Sequence, residues 1–585
     1  MPLRSQHIIS IILFLFLWVT DDALKAQSPQ HGGQANNWSI TGGMYNNHEW
    51  LNFNGLTANP FQLPNSNHFN ASLNHNNSVS DKGGNLMFYV YTSYIYDSTN
   101  QIMQNGTLVD TSTSQIIYDN YVVENIIIPK PCSPNSYYLV ELLDTGIIHP
   151  PYNNSSYHIG LYYTEIDMTL NNNKGAVVPG RKRVLIQDSL DCIDALTATK
   201  HANNRDYWLM SAMKDTNIYQ AWQVMDTGVV TTPVTSSLGL NWFDDNDMKF
   251  SPTGAKLATA KGYNLNGNNF NSSTFELLDF DNATGQLTNA LKLDYDSSFI
   301  PLYQSGSASS PFFNPLLGNP PVAVEFSSNG EVLYGGTHYS LIQYDLSSHN
   351  NAIIPSAWNV LYKHYNVIVN NTYSSFIYDL ERGPNDKIYH VLSHVDPQNN
   401  SNSWYTIGAV NNPNIFGNGA NYNDSVLVYN NVISTSLPNF IADMLQSRAI
   451  TLSDTCSNMS ISFSLEDTLH IDSAHWYFDT NSTYVSSSTF PVQHTFSQPG
   501  DYPVKVRYYS GCTIDSTLDT MHIMPPAEAD LGPDRTLCEN DTLQNALVYP
   551  GLSYQWNTGD TTSYLYNPPA DTYILEVSSP NCGTD

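Results

Sequence analysis

Four stretches of the chain repeat one pattern of apolar and polar positions. Met248–Ala260 reads MKFSPTGAKLATA, Val324–Gly336 reads VEFSSNGEVLYGG, Leu380–Leu392 reads LERGPNDKIYHVL and Val79–Val90 reads VSDKGGNLMFYV. Each is a short run, a tight turn of Gly, Asn or Asp, and a second run of apolar or β-branched residues. The turns fall at Thr253-Gly254, Asn329-Gly330, Asn385-Asp386 and Lys82-Gly83-Gly84. Such dipeptides supply the positive φ that a two-residue hairpin needs, so each copy predicts a β-hairpin. A hairpin that returns at long, uneven intervals predicts the blades of a β-propeller with variable loops between them.

The chain between the repeats reads the same way. ENIIIPK (Glu124–Lys130) is a β-branched run suited to a buried inner strand, and SPNSYYLVELL and YHIGLYYTEIDM alternate as strands do. LTATKHANNRDYWLMSAM and NIYQAWQVM open a further unit, and no segment carries a helical period. Residues 36–450 therefore predict a propeller of about seven blades, with SLPNFI (Ser436–Ile441) closing the domain. From Thr451 onward, short strands alternate with Ser/Thr/Asp turns. Residues 453–525 predict one small β-sandwich, in which Trp476 and Phe478 point into the core, and residues 527–585 predict a second. The Pro-containing stretch Met524–Asp530 links them. The fold class is all-β throughout. The chain ends three residues past Cys582, where a sandwich would ordinarily add an edge strand, so a truncated last module is expected.

Charge and composition narrow the setting. The chain has 585 residues, with Lys+Arg 22 against Asp+Glu 52 and a formal net charge of -30. Nucleic acid and anionic membrane both call for a basic footprint that this balance lacks. Charged residues make up only 13% and Tyr numbers 39, a neutral-polar, aromatic surface typical of exported β-proteins. Arg4 followed by the apolar run Ile8–Val19 reads as a secretory signal, with cleavage expected after Ala26 and no membrane span in the mature chain. The six cysteines lack metal-ligand spacing and allow fifteen pairings. The module boundaries select Cys132–Cys192, Cys456–Cys512 and Cys538–Cys582, each inside one module, with Cys132 and Cys192 both free as the alternative.

In their order along the chain, NNWSITGG, GGNLMFYVY with QIMQNG, IIIPKPCSPNSYYL, LTATKHANNRDYWLM, MKFSPTGAKLA, VEFSSNGEVLY with IQYDLSS, GPNDKIYHVL, IGAVNNPNIFG and SLPNF resemble pieces of a known group. These are secreted proteins of Bacteroidota, exported by type IX secretion and often named for gliding motility, with a propeller followed by PKD-type modules. Residues 453–525 resemble a PKD module through Trp476-Tyr477-Phe478-Asp479-Thr480-Asn481, His494-Thr495-Phe496 and Pro499-Gly500-Asp501-Tyr502, although the family's Gly-Asp-Gly turn is lost. Residues 527–585 resemble the Ig-like module of the same proteins through Leu531-Gly532-Pro533-Asp534, Cys538, Trp556 and Cys582. The resemblance implies an extracellular or outer-surface protein, with a C-terminal sorting domain expected beyond residue 585.

No catalytic signature is present: there is no G-x-S-x-G elbow, H-E-x-x-H helix or phosphate loop. Lys200, His201 and Asp206 in KHANNRD place a histidine near a carboxylate, which suits general-base work but equally ties a turn together. Asp244, Asp245 and Asp247 form a candidate calcium loop, since hard cations prefer clustered carboxylates, but the Gly and distal Glu of an EF-hand are missing. Asp188, Asp191 and Asp194 make a weaker cluster of the same kind, and His494 is expected to pack rather than bind metal. No cofactor is expected other than calcium at these carboxylates. Three functions follow: a non-enzymatic surface protein whose propeller binds an extracellular protein or polysaccharide, with the small modules as spacers; a lectin or carbohydrate-active enzyme using the propeller channel; and a structural adhesin or filament component. A propeller hosts all three, so fold does not decide among them.

Overall fold

A computed structural model describes residues 33–40, 50–53, 58–61, 77–91, 93–108, 121–144, 159–190, 192–242, 246–262, 273–295, 320–337, 340–363, 375–395, 403–429, 436–446, 448–478, 483–538, 540–580 and 582–585. The expected signal segment with its cleavage after Ala26 lies outside them, as do Asp191, Asp244 and Asp245. Among the described residues no helix is long and apolar enough to cross a membrane.

All four repeat copies are antiparallel hairpins. Asn246–Phe250 pairs with Lys256–Lys261, Pro321–Phe326 with Val332–Thr337, Ser375–Arg382 with Ile388–Val395, and Ser78–Ser80 with Leu86–Tyr91. The connections are longer than the two-residue turn predicted. A β-turn sits inside each, closed by Gly254 N–H to Ser251 O, Gly330 N–H to Ser327 O, Asp386 N–H to Gly383 O and Gly84 N–H to Asp81 O. The positive φ falls where the sequence put it, at +69° for Gly254 and +61° for Asp386. Two further copies, too diverged to read in the sequence, close the same way through Ser133 N–H to Lys130 O and Asn204 N–H to His201 O.

Four of these hairpins open a four-stranded antiparallel meander, and those beginning at Tyr121 and Thr197 open five strands, two of which share the third strand as neighbour. A three-stranded sheet (Asn37–Ser39, Trp50–Asn52, Asn59–Phe61) comes before them in the chain. A parallel bridge between Ala176 and Gln104 joins the meanders that begin at Ser78 and Tyr121. The first strands of successive sheets lie side by side: Ser78–Ser80 by Asn37–Ser39, Thr197–Lys200 by Tyr121–Pro129, then Asn246–Phe250, Pro321–Phe326 and Ser375–Arg382 in turn. The ring closes between the last meander and the N-terminal sheet, where Tyr389 packs edge-on against Trp38 at 5.6 Å and Phe53 at 5.4 Å. One apolar cluster runs across this join, from Trp38 and Leu51 to Val391 and Ile407. Consecutive meanders whose inner strands circle an axis form a β-propeller.

Beyond it, Ile450–Leu452, Ile461–Leu465 and Val492–His494 face a second sheet of Val485–Ser487, Ser473–Tyr477, Gly500–Ser510 and Thr513–Ile523. Phe463, Trp476, Phe478, Val504 and Val506 fill the space between the two. The last unit, from Thr542–Gln544 to Gly583–Thr584, packs around Trp556, Leu565 and Val577.

The cysteine pairing departs from expectation. Cys132 bonds to Cys512 and Cys456 to Cys582, so each bridge joins two modules instead of closing one. Cys192 is buried and Cys538 exposed, both outside the bridges. The boundary rule failed because it treated the modules as beads that do not touch, whereas they pack against one another. Consistently, Met524 at the start of the expected linker is bonded into the first two-sheet unit, through Met524 N–H to Thr455 O and Ser457 N–H to Met524 O.

Candidate functional site: the plugged propeller axis

Three repeat copies carry a charged residue at the same position, two before the turn begins: Lys249, Glu325 and Glu381. On an inner strand that position faces the axis, and the three converge there. Lys249 Nζ lies 2.6 Å from Glu381 Oε2, with both side chains buried. Glu325 accepts the backbone N–H of Arg382 at 3.1 Å and that of Phe326 at 2.8 Å. Burial by itself would lower the Lys249 pKa, but Glu381 and Glu325 outweigh it and hold the ammonium above the ordinary lysine value. Burial pushes both glutamates above the usual carboxylate range, against the pull of Lys249.

The axis is not an open channel. Ser436–Ile441, which follows the last propeller strand, crosses it, and Ala442–Leu445 continues as a short 3-10 turn. Asn439 is the hub of this crossing. Its side-chain oxygen accepts from Lys249 Nζ at 2.9 Å and its amide donates to Leu196 O at 2.8 Å, while its backbone N–H donates to Asn77 Oδ1 at 2.6 Å. Three separate inner strands or their leads are thereby tied to one residue. Leu437 N–H reaches Asp379 at 2.8 Å and Phe440 N–H reaches Glu381 at 3.3 Å. Asp443 accepts from Lys200 at 3.2 Å and Tyr207 at 2.9 Å. Burial would raise the Asp443 pKa, but Lys200, His470 and Arg448 together with the Tyr207 hydrogen bond bring it down to about 2. The space left between Lys249, Glu325, Arg382 and Phe440 holds no more than about one water molecule.

The plug leads directly into the first two-sheet unit, which sits on the same face. Arg448 joins Asp467 at 3.4 Å and donates to Leu469 O at 2.9 Å. The unit rests on the turns of three neighbouring hairpins. Lys82 pairs with Asp515, Cys132 is bridged to Cys512, and Asn204 donates to Asp472 at 2.7 Å while lying 3.0 Å from His470 Nδ1. Gly511, at φ +55°, meets the Asn204–Arg205 backbone so closely that a Cβ would stand 2.6 Å from Asn204 O.

Of the sequence-predicted residues, Lys200, His201, Asp206 and Asp247 are bonded into the propeller. His201 and Asp206 close a turn: His201 N–H donates to Asp206 O, and Asn203 N–H donates to His201 Nδ1 at 3.0 Å. The Asp206 carboxylate is held by Arg205 at 2.9 Å, Asn203 at 2.8 Å and Gln223 at 3.0 Å, and the His201 ring stacks on Trp208. Lys200 points instead to Asp443. Asp247 accepts the Val324 N–H at 2.9 Å, stitching neighbouring sheets. Asp188 and Asp194 are exposed. His494 stacks flat on Phe478 at 3.9 Å, as its packing role requires. The one cluster of metal-ligand type among the described residues joins Asp454 to Cys456 and Cys582, whose sulfurs are committed to a bridge.

No protein-family model and no curated protein matches the chain. Solved structures similar to it include a hypothetical selenium-binding protein from Sulfolobus tokodaii (11% identity, TM-score 0.38, covering 66% of this chain and 89% of that one). A periplasmic gluconolactonase from Pseudomonas aeruginosa follows at 12% identity and TM-score 0.31, covering 66% and 96%. The β-propeller domain of Cps50 (Swd1) from Myceliophteria thermophila shows 9% identity and TM-score 0.27 over 68% and 98%. Likenesses this distant carry no assignment of activity, and the propeller rests on the sheet order above.

Proposed function

We propose that the chain is a non-enzymatic, exported binding protein: a seven-bladed propeller that captures an extracellular protein or polysaccharide on the face away from the docked two-sheet unit. The observation that carries this reading is the filled axis. The site where a propeller would hold a small substrate is occupied by Ser436–Leu445, and its charges are engaged with one another. In a meander, the links from second to third strand and from sheet to sheet leave from the face opposite the first hairpin turns. Two long links of this kind, between Leu293 and Pro321 and between Asp144 and Ile159, therefore start and end on the face away from that unit. Two disulfides fit an oxidising compartment, and the acidic balance fits a soluble surface protein. The PKD and Ig-like assignments and type IX export remain part of this proposal on the strength of the sequence resemblance. The small modules then act as a clamp and an extension, not as loose spacers.

The purified chain should be retained by a polysaccharide or surface-protein fraction. Replacing the Leu293–Pro321 link with a Gly-Ser linker of equal length should abolish that retention. Retention unaffected by replacement of either long link would sink the reading.

A further inference from the structure

The first two-sheet unit turns one sheet inward, and the other face of that sheet carries an arrangement the propeller does not use. Across the register, His475 stands opposite Ser486 on one side and Arg507 on the other, Tyr477 opposite Lys505, and Ser473 opposite Tyr509. The next strand adds Ile514, Ser516 and Leu518 opposite Tyr509, Arg507 and Lys505. Tyr484 closes the near edge: its ring stacks on His475 at 4.1 Å and lies 5.6 Å from Tyr477. The Tyr509 ring meets His475 at 5.0 Å, and the Arg507 guanidinium lies 5.8 Å from the Tyr509 centroid. Tyr484, Ile514 and Leu518 are 51%, 53% and 62% exposed with every module in place.

Two features separate this face from ordinary sheet surface. Four rings, Tyr477, Tyr484, Tyr509 and His475, touch in a chain, already ordered, so little side-chain entropy is lost when a flat ligand lies on them. The charge is also inverted: in a chain of net charge -30 the face carries Lys505 and Arg507, neither in an ion pair among the described residues. The sole carboxylate of this register among those residues, Asp501, stands at the far end bonded to His522 at 2.5 Å. At physiological salt, charge beyond about 8 Å is largely screened, so this local pair of cations, not the net charge, sets what approaches.

We propose that this face binds an anionic polysaccharide, with sugar faces stacked on the tyrosines and the carboxylate or sulfate groups met by Arg507 and Lys505. The guanidinium suits such groups because its planar donors match two oxygens at once. This site is separate from the propeller face and does not depend on it.

The test measures binding of the full chain to polygalacturonate, dextran sulfate and uncharged dextran at about 0.15 M salt, by calorimetry or affinity electrophoresis. Tyr484→Ala and Arg507→Gln are compared with the parent, and near-UV circular dichroism confirms that the fold is retained. At least one polyanion should bind, dextran should not, and each variant should weaken binding about fivefold, the loss of one ring or cation contact of about 1 kcal/mol. Absence of polyanion binding, equal binding of dextran, or affinity indifferent to both variants would overturn the proposal. So would a dimer in sedimentation that Tyr484→Ala dissociates while polyanion affinity stays constant, which would identify a second copy as the occupant. Binding that survives both variants but falls on replacement of a propeller link would count against this face and in favour of the propeller.

Discussion

Cys132 sits in the turn of one propeller hairpin and Cys512 at the tip of the long hairpin of the two-sheet unit, and a disulfide joins them across 380 residues of chain. This bond, with Lys82–Asp515 and Asn204–Asp472 on either side, makes the unit a clamp over the plug that fills the axis.

Removing the clamp should be felt as a loss of coupling. Cys132→Ala with Cys512→Ala is expected to lower stability by about 2–4 kcal/mol, the usual worth of a native bridge. In calorimetry, one cooperative transition should separate into a propeller step and an earlier two-sheet step. A single unshifted transition would contradict the clamp.

Gly511→Ala should act on the same interface without touching sulfur chemistry. At φ +55°, with a Cβ 2.6 Å from Asn204 O, the hairpin tip must lift off the propeller. Faster proteolysis between Leu445 and Ile450 than in the parent chain is the expected result.

Lys249→Met leaves Glu381 buried without its cation and Glu325 with Arg382 alone. A cost of about 3–5 kcal/mol is expected, because an uncompensated buried charge is far more costly than a missing pair. Lys249→Met with Glu381→Gln should recover part of it, and a double-mutant cycle in urea unfolding measures how much.

Acid should weaken the propeller from a definite site. His390 is fully buried; burial and, to a lesser extent, the nearby His394 lower its pKa to about 3, and its Nε2 lies 2.8 Å from the Tyr422 hydroxyl. Because the folded value lies below the unfolded value of 6.5, the folded state excludes a proton that the unfolded state takes up. Its contribution to stability is therefore complete above pH 6.5 and is lost as pH falls toward 3, by about 1.4 kcal/mol per pH unit at most. His390→Gln should flatten the stability profile between pH 4 and 6.5; an unchanged slope there would assign the acid sensitivity elsewhere.

Part of the axial site was legible before any coordinates. The copies MKF, VEF and LER place Lys249, Glu325 and Glu381 at one repeat position, which turns all three the same way on their strands. That Lys249 meets Glu381 was not legible, because a repeat carries no distance across the ring. The plug was harder to see, because SLPNFIADML has neither a strand's alternation nor a partner nearby, and its apolar character fits a domain end as well as an axis.

The sequence by itself determined the local structure: which runs become strands, where positive φ must fall, and that hairpins recur until a ring can form. These follow from side-chain period and turn chemistry, which act over a few residues. Only the tertiary structure decided the cysteine pairing, the crossing of Ser436–Leu445 over the axis and the docking of the two-sheet unit on the turns of Lys82, Cys132 and Asn204. Each of those depends on which surfaces of separately formed units come to rest against one another. Contacts between residues hundreds of positions apart leave no period in the chain that joins them.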